Sequence, residues 1–320
     1  MTSPLQLLPS LLVCPRVPSL GIPYFHYTCY HWVQSSPDTI HFHFYADDVQ
    51  LYLPVMLSDK KALDPLHSCL HDIRQWLSQN FLHLNEGKTE YIVFTPDSPH
   101  SEINFDASTP PFAPAVNNLG VFLDNSLKFD KQISSVVRAS FFHLRLLAKV
   151  KPFLSSTHLE KAIHAFISSR LDYCNALYTG VNQSLLRRLQ LVQNAAAGLL
   201  TNTPKYSHIT PVLRSLHWLP VQSRIHFKVL LFAFKAIHGL APAYLAELLT
   251  VRHHSRALRS SQHTTLEVPR MKYKKWGDRA FAAFAPTLWN SLPPALRSTT
   301  ELSAFKSLLK THLFRLAYDT

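Results

Sequence analysis

The sequence predicts an α+β protein in which a small antiparallel sheet with packed helices precedes a largely helical region. Residues 40–53 alternate large apolar with polar side chains, as the strands of a half-buried sheet do. Residues 66–77 and 133–147 instead carry apolar side chains at helical spacing. With 47% hydrophobic residues over 320 positions, the chain is able to bury a large core.

The first predicted strands, Ile40–Tyr45 and Val49–Leu53, are rich in β-branched and aromatic residues. Asp47 and Asp48 stand between them, so we expect a hairpin with two adjacent carboxylates in its turn. An Asp-Asp turn is commonly a solvated turn. It is also half of a two-metal site for phosphoryl transfer, because two Mg²⁺ ions about 3.5–4 Å apart need several oxygen ligands.

Later segments predict helices and a C-terminal core. The next helix carries one apolar stripe, formed by Leu66, Leu70, Ile73 and Leu77. A longer helix carries a second stripe, formed by Ile133, Val136, Val137, Phe141, Leu144 and Leu147. The expected C-terminal core comprises Phe281, Phe284, Leu288, Trp289, Leu302, Phe305, Leu308, Leu309 and Leu313.

Several blocks, taken in order, resemble the reverse transcriptase of LINE-type, non-LTR retrotransposons. They are Tyr45-Ala46-Asp47-Asp48, Leu82–Asn85, Lys88-Thr89-Glu90, Asn118–Asp124, Ser169–Leu177, Leu191–Ala197 and Leu216–Val221. The resemblance covers about Ile40 to Tyr318, and the shared order is more specific than any single block. It implies a partial polymerase palm at 40–129, an all-helical thumb-like region at 130–203 and a basic helical C-terminal domain at 204–320. It also implies an RNA or DNA template-primer as partner and Mg²⁺ as cofactor.

The resemblance assigns roles to a few positions. Asp47 and Asp48 match the metal-binding, catalytic pair of the palm. Lys88 matches a lysine that protonates the leaving pyrophosphate, although its residue type and position equally suit an exposed turn lysine. Leu119, Gly120 and Val121 match the hairpin that grips the primer end.

The catalytic site is incomplete in this sequence. A two-metal centre needs a third carboxylate from a neighbouring strand, and the only acid before Asp47 is Asp38, close to the same hairpin. In the family, the missing aspartate and the fingers lie upstream. We therefore expect a truncated RNA-directed DNA polymerase that is inactive alone. The alternatives are a retained non-specific nucleic-acid-binding module and a translated relic without a selected role.

Residues 1–39 match nothing in the family and are expected to be poorly ordered. A frameshift explains the mismatch: Cys14–Gly21 can be encoded by codons that, from the third base of the Cys14 codon, give Ser-Gln-Gly-Ser-Val-Leu-Gly, a family block. The competing interpretation is a secretory signal at Leu5–Val13. That run lacks a basic n-region and contains Pro9.

Charge is distributed unevenly along the chain. Residues 1–124 hold five Lys and Arg against twelve Asp and Glu, whereas residues 125–320 hold 27 against eight. The two parts thus carry net charges of −7 and +19 within a total of +12. A strongly cationic region favours nucleic acid as a partner, because neutralised phosphates supply most non-specific affinity.

Two groups of cations are candidate nucleic-acid contacts. Lys131, Arg138 and Arg145 recur every seven residues, with Lys149 one turn beyond, opposite an apolar stripe. The alternative for these four is a solvated helix face. Lys272, Lys274 and Lys275 alternate with aromatic residues around Tyr273 and Trp276, a pattern that suits single strands. The alternatives there are a solvated loop and a weak nuclear-import-like patch.

Cysteine content and hydropathy bear on localisation. The four cysteines show neither paired spacing nor the density of a disulfide scaffold, which indicates a reducing compartment. No run of 18 apolar residues lacks a charge, so no membrane span is predicted. We therefore expect an intracellular protein, in the nucleus or cytoplasm, without a membrane partner.

Overall fold

The structure is a computed structural model that describes residues 10–14, 40–45, 48–54, 61–94, 112–204, 206–252, 264–271 and 274–319. The chain divides into two compact units. We call the described residues of Gln6–Lys131 the sheet unit and those of Gln132–Thr320 the helical unit. Helices predominate and the sheets are antiparallel, which confirms the predicted α+β class.

The sheet unit contains an antiparallel sheet with the strand order β2-β3-β1-β4. Its strands are β1 (Ser10–Cys14), β2 (His41–Tyr45), β3 (Asp48–Pro54) and β4 (Glu90–Phe94). The predicted hairpin is confirmed by β2 and β3. Leu12 of β1 lies opposite Tyr52 on one side and Ile92 on the other, so β1 is a central strand.

The position of β1 differs from the disorder expected for residues 1–39. Instead, Ser10–Val13 pair on both sides, and Cys14 pairs with Glu90. The apolar run Leu11-Leu12-Val13 suits such a strand, because a strand with covered faces needs no polar alternation. The rest of 1–39, including nearly all of the segment that the frameshift hypothesis concerns, lies outside the described residues.

One face of the sheet packs against α1 (Asp64–Gln79), which has a proline in its first turn, where a missing N–H breaks no helical hydrogen bond. The predicted stripe is confirmed by burial of Leu66, Leu70, Ile73 and Leu77. Val49, Leu51 and Leu53 of β3 join this core. Because side chains alternate along a strand, Asp48, Gln50 and Tyr52 lie on the opposite face.

That opposite face packs against a second hairpin, β5 (Ala115–Asn118) and β6 (Val121–Asp124). Ile92 and Val116 form the small core between them, joined by Tyr52, Phe94, Ala113 and Leu123. The Ala113 N–H donates to the Tyr91 carbonyl at 2.8 Å. The four-stranded sheet therefore lies between α1 and this hairpin.

The helical unit follows. Its helices are α2 (Asp130–Val150), whose first two residues belong to the sheet unit, α3 (Ser156–Ile163), α4 (Ser169–Asp172), α5 (Gln183–Thr201), α6 (Thr210–Ser215), α7 (Val221–Ile237), α8 (Ala243–Ala246), α9 (Lys274–Gly277), α10 (Phe281–Asn290), α11 (Pro294–Arg297) and α12 (Leu302–Tyr318). A π-helical turn, His164–Ser168, joins α3 to α4. None of the helices in the described part of the chain combines the length and hydropathy that a membrane span requires.

Helices α2 and α5 run in the same direction. Near their starts, Arg188 donates to the Ser134 hydroxyl at 3.1 Å. Beyond the end of α2, the Lys151 ammonium donates to the Leu199 carbonyl and to the Asn202 side chain. A cation at the last carbonyls of a helix stabilises its C-terminus, so both ends of α5 are fixed to the α2 segment.

The main core of the helical unit lies between α7, α10 and α12. Phe234, Trp289 and Phe305 are fully buried, and the rings of Phe234 and Phe305 stack at 4.3 Å. Trp289 Nε1 donates to the Thr264 carbonyl at 3.0 Å, which satisfies the buried indole. The predicted core is confirmed at Trp289, Phe305, Leu309 and Leu313, while Leu308 is 48% exposed because it lies off that stripe.

Candidate functional site

The carboxylate hairpin begins the candidate site. Tyr45 pairs with Asp48, so Ala46 and Asp47 connect β2 to β3. Both connecting residues lie outside the described residues, and the predicted metal role of Asp47 stays a prediction. Asp48 is the half-buried first residue of β3, not a turn residue as we expected. Its side chain therefore has a direction fixed by the strand.

Asp48 shares its sheet face with a row of polar and aromatic side chains. Tyr52 stacks on His43 and His41, at ring-centroid distances of 5.5 and 5.2 Å. The Tyr52 hydroxyl lies 3.3 Å from His43 Nε2, and burial raises the pKa of that tyrosine. These contacts fix the face on which a bound group would meet Asp48.

The β5–β6 hairpin is attached to the same face by two hydrogen bonds. Gln50 Nε2 donates to Asn118 Oδ1 at 2.7 Å, and the Asn117 N–H donates to Glu90 Oε2 at 3.2 Å. Next to them, Leu119 and Gly120 form the turn, with φ values of +48° and +78°. Glycine is at ease there, whereas leucine in this left-handed region costs about 1–2 kcal/mol.

Lys88 lies at the same end of the sheet. It ends a short 3₁₀ turn, Glu86–Lys88, and it is exposed. The Lys88 N–H donates to Asn85 Oδ1 at 3.1 Å, which caps the turn. β3 and β4 both run antiparallel to β1, so their first residues lie at the same end of the sheet. Strand spacing sets β3 and β4 about 10 Å apart across β1. Asp48, Lys88 and the Leu119–Gly120–Val121 hairpin thus occupy one region of the sheet unit.

The described residues at this end of the sheet do not supply the ligands of a two-metal centre. β1 lies between β3 and β4, where a neighbouring strand would supply the third carboxylate, and the chain has no Asp or Glu before Asp38. Glu90 begins β4, but it accepts from Asn117 and is two strands from Asp48. Within the described ranges, no group of three His, Cys, Asp or Glu side chains could hold a metal ion.

The cations predicted on the long helix are all exposed on α2, as a binding surface requires. We call Lys131, Arg138, Arg145 and Lys149 the α2 stripe. Seven helical residues rise about 10.5 Å, so the stripe is extended along the helix axis. Lys131 Nζ lies 4.6 Å from the centroid of the Phe122 ring, a cation–π contact that holds this lysine beside β6.

Exposed aromatic rings accompany the α2 stripe. Phe142, four residues after Arg138 and three before Arg145, is 52% exposed. The exposed Phe166 ring stacks on His143 at 5.3 Å, and Arg170 donates to His143 Nε2 at 3.1 Å. Sequence reasoning missed these rings. The i, i+4 spacing of Phe142 from Arg138 was the available signal.

The second predicted cluster is only partly described. Lys272 lies outside the described residues. Lys274 is exposed at the start of α9, and Lys275 follows it in the same short helix, with no described side chain. Their role in binding single strands stays a prediction.

Comparison with known proteins returned no match. No protein-family model matches the chain, and no curated protein or solved structure is significantly similar to it. The resemblance to reverse transcriptases therefore depends on the sequence blocks alone.

Proposed function

We propose that this protein is a truncated reverse transcriptase of non-LTR retrotransposon descent that has lost polymerase activity and retains non-specific binding to nucleic acid. The observation that carries the proposal is the α2 stripe, whose four cations are all exposed. The palm, thumb and C-terminal domain assignments belong to the same proposal.

The arrangement at the end of the sheet where β3 begins supports descent from a reverse transcriptase. Under the resemblance, the carboxylate hairpin and the hairpin that grips the primer end act on the same primer terminus, so they should lie close together. Here Gln50, two residues from Asp48, bonds Asn118, the residue before Leu119. The two segments are 68 positions apart in sequence. A solvated Asp-Asp turn does not require such a contact.

The missing carboxylate supports loss of activity. Two ions with the oxygen coordination that Mg²⁺ demands need more ligands than Asp47 and Asp48 supply. When Mg²⁺ is bound at a complete site, it orients the phosphates and neutralises developing charge. The described neighbours of Asp48 offer the amide of Gln50 and the phenol of Tyr45, and amides and phenols do not replace an ionised ligand.

The α2 stripe supports binding. Each lysine or arginine that neutralises a phosphate releases counterions, whatever the base sequence. Phe142, between Arg138 and Arg145, offers a ring on which a base could stack. Cations along the stripe with an exposed ring between them suit a single strand or a primer end.

The test is binding of the full chain to a labelled single strand and an RNA–DNA hybrid over a range of salt concentrations. Replacing Lys131, Arg138 and Arg145 with alanine should flatten the log–log salt slope by about 2–3 units, since each phosphate contact contributes roughly 0.7–0.9. Lys161, Lys306 and Arg315, which are exposed elsewhere, provide a control triple alanine variant of equal charge. An equal loss in both variants would reassign the stripe to a solvated face, and absence of binding would favour the relic.

A further inference from the structure

A cavity of about 300 Å³ lies within the helical unit, apart from the residues of the α2 stripe. Its lining comes from the Ser169–Leu177 block and from α7 and α12. The lining residues are Asp172, Asn175, Leu219, Arg224, Phe227, Lys228 and Lys310. Its size is at the lower end of the range for small-molecule sites, about 300–1,000 Å³.

An ion pair forms one wall. Arg224 Nε donates to Asp172 Oδ1 at 2.8 Å, and Arg224 Nη2 donates to Asp172 Oδ2. Asn175 Nδ2 also donates to Asp172 Oδ1, at 3.4 Å. Both oxygens of the carboxylate are engaged, so its charge is committed to Arg224.

Two lysines complete the charge of the cavity. Lys228 is half-buried on α7, and Lys310 is exposed on α12. Among the described residues, neither forms a salt bridge. One carboxylate against three cations leaves an excess of two positive charges in the lining. This excess favours an anion.

The rest of the wall is closed or apolar. Asn175 is 2% exposed, and its Oδ1 atom is buried away from the open space of the cavity, so this residue holds Asp172 and does not face a ligand. Phe227 supplies an apolar wall.

We propose that this cavity binds a sugar phosphate, the chemistry that a free nucleotide and the phosphorylated end of a strand share. Lys228 and Lys310 bind the phosphate, and Phe227 packs against the carbon atoms of the sugar. Arg224, held by Asp172, completes the wall. This site is additional to the α2 stripe and does not depend on polymerase descent.

The test is calorimetric titration of the full chain with ribose 5-phosphate, inorganic phosphate and ribose. Ribose 5-phosphate should bind more tightly than phosphate, and ribose should not bind. The double variant Lys228→Gln/Lys310→Gln should weaken ribose 5-phosphate by at least about tenfold, since charge-assisted hydrogen bonds are lost. The control Lys161→Gln/Arg315→Gln loses the same charge at exposed positions and should retain the affinity.

Phe227→Ala should abolish the preference for ribose 5-phosphate over phosphate, because the sugar then loses its apolar contact. Two further probes separate the ligand sources. The first is a 5′-phosphorylated octanucleotide, compared with the same octanucleotide carrying a 5′-hydroxyl. If only the phosphorylated form competes with ribose 5-phosphate, the ligand is a strand end. Competition by adenosine monophosphate alone indicates a free nucleotide. These titrations use the Lys131/Arg138/Arg145 alanine variant, so that phosphate contacts on α2 do not contribute.

Equal affinity in the glutamine double variant and its control would overturn the proposal, as would absence of ribose 5-phosphate binding at millimolar concentration. Either result, obtained while wild-type protein still binds single strands through the α2 stripe, would leave the proposed function standing. Loss of strand binding with intact ribose 5-phosphate binding would overturn the proposed function and leave the cavity proposal standing.

Discussion

The sheet unit and the helical unit differ in how their polar residues are held. In the sheet unit, Gln50 is bonded to Asn118 and Glu90 to Asn117, so each group has one position. In the helical unit, Arg138 and Arg145 extend from α2 as exposed side chains. The first arrangement suits chemistry that depends on geometry, and the second suits attraction that depends on charge.

Under the proposed function, this difference accounts for the loss of one activity and the retention of the other. Catalytic groups need placement within about 0.5 Å, so removing one ligand removes the reaction. Phosphate binding requires exposed cations at a rough spacing, so it tolerates the loss of neighbouring structure. A polymerase that lacks one metal ligand would therefore lose synthesis before it lost binding.

The largest expected effect is complete absence of synthesis. Purified protein with a primed RNA or DNA template should incorporate no dNTP with Mg²⁺ or Mn²⁺, because Asp47 and Asp48 lack a third carboxylate. Incorporation would be measured by primer extension. If the wild type extends the primer and Asp47→Ala does not, another group supplies the third ligand. The sheet unit would then retain catalysis, contrary to the comparison above.

The next effect concerns the core of the helical unit. Phe305→Ala should lower the free energy of unfolding by about 3–5 kcal/mol, because it leaves a cavity between Phe234 and Trp289. Urea denaturation followed by circular dichroism measures it. Leu308→Ala on the same helix is the control, with an expected loss below about 1 kcal/mol at a half-exposed position. Equal losses would place Phe305 outside the core.

A somewhat smaller effect tests the central position of β1. Leu12→Pro removes a backbone N–H between two paired strands and should destabilise the sheet unit by about 3 kcal/mol. Hydrogen exchange of peptides from β3 and β4 should accelerate, while peptides from α12 should not change. Leu12→Val keeps the N–H and serves as control. Unchanged exchange in β3 would mean that β1 is not part of the sheet.

The smallest effect is a pH dependence at the start of α12. Glu301 accepts from the Ser303 hydroxyl and from the N–H groups of Ala304 and Ser303, and these bonds lower the pKa of its carboxyl. Because the folded pKa lies below the unfolded one, the stabilisation is present above the unfolded pKa and is lost as pH falls through the folded pKa. The stability difference between wild type and Glu301→Gln should therefore shrink on acidification. A constant urea-midpoint difference between pH 6 and 3 would contradict this role.

Local patterns predicted the local elements. The stripe at Leu66–Leu77 and the alternation at residues 40–53 each lie within one element, so a short window was enough to find α1, β2 and β3. The exposure of the α2 stripe follows from its place opposite an apolar face. The β1 strand had no such signal, because five residues show no period and their partners lie some 40 to 80 positions away.

Contacts between distant residues explain the rest of what was missed. Asp172 and Arg224 are 52 positions apart, and only the packing of α4 against α7 joins them. Arg224 appeared in the sequence as one of several cations on a basic helix. The buried Asn175 beside it carries no pattern that distinguishes it from an exposed asparagine.

The strand order also has a consequence for synthesis on the ribosome. β1 leaves the ribosome first, yet its partner β4 ends at Phe94, so roughly 80 residues are translated before the ladder is complete. At about 5–20 residues per second, β1 waits some 4–16 s for β4, and for the first half of that time β3 has not been completed either. An apolar strand exposed for that time is a target for chaperones and a site for aggregation. The yield of folded protein should therefore depend on translation speed.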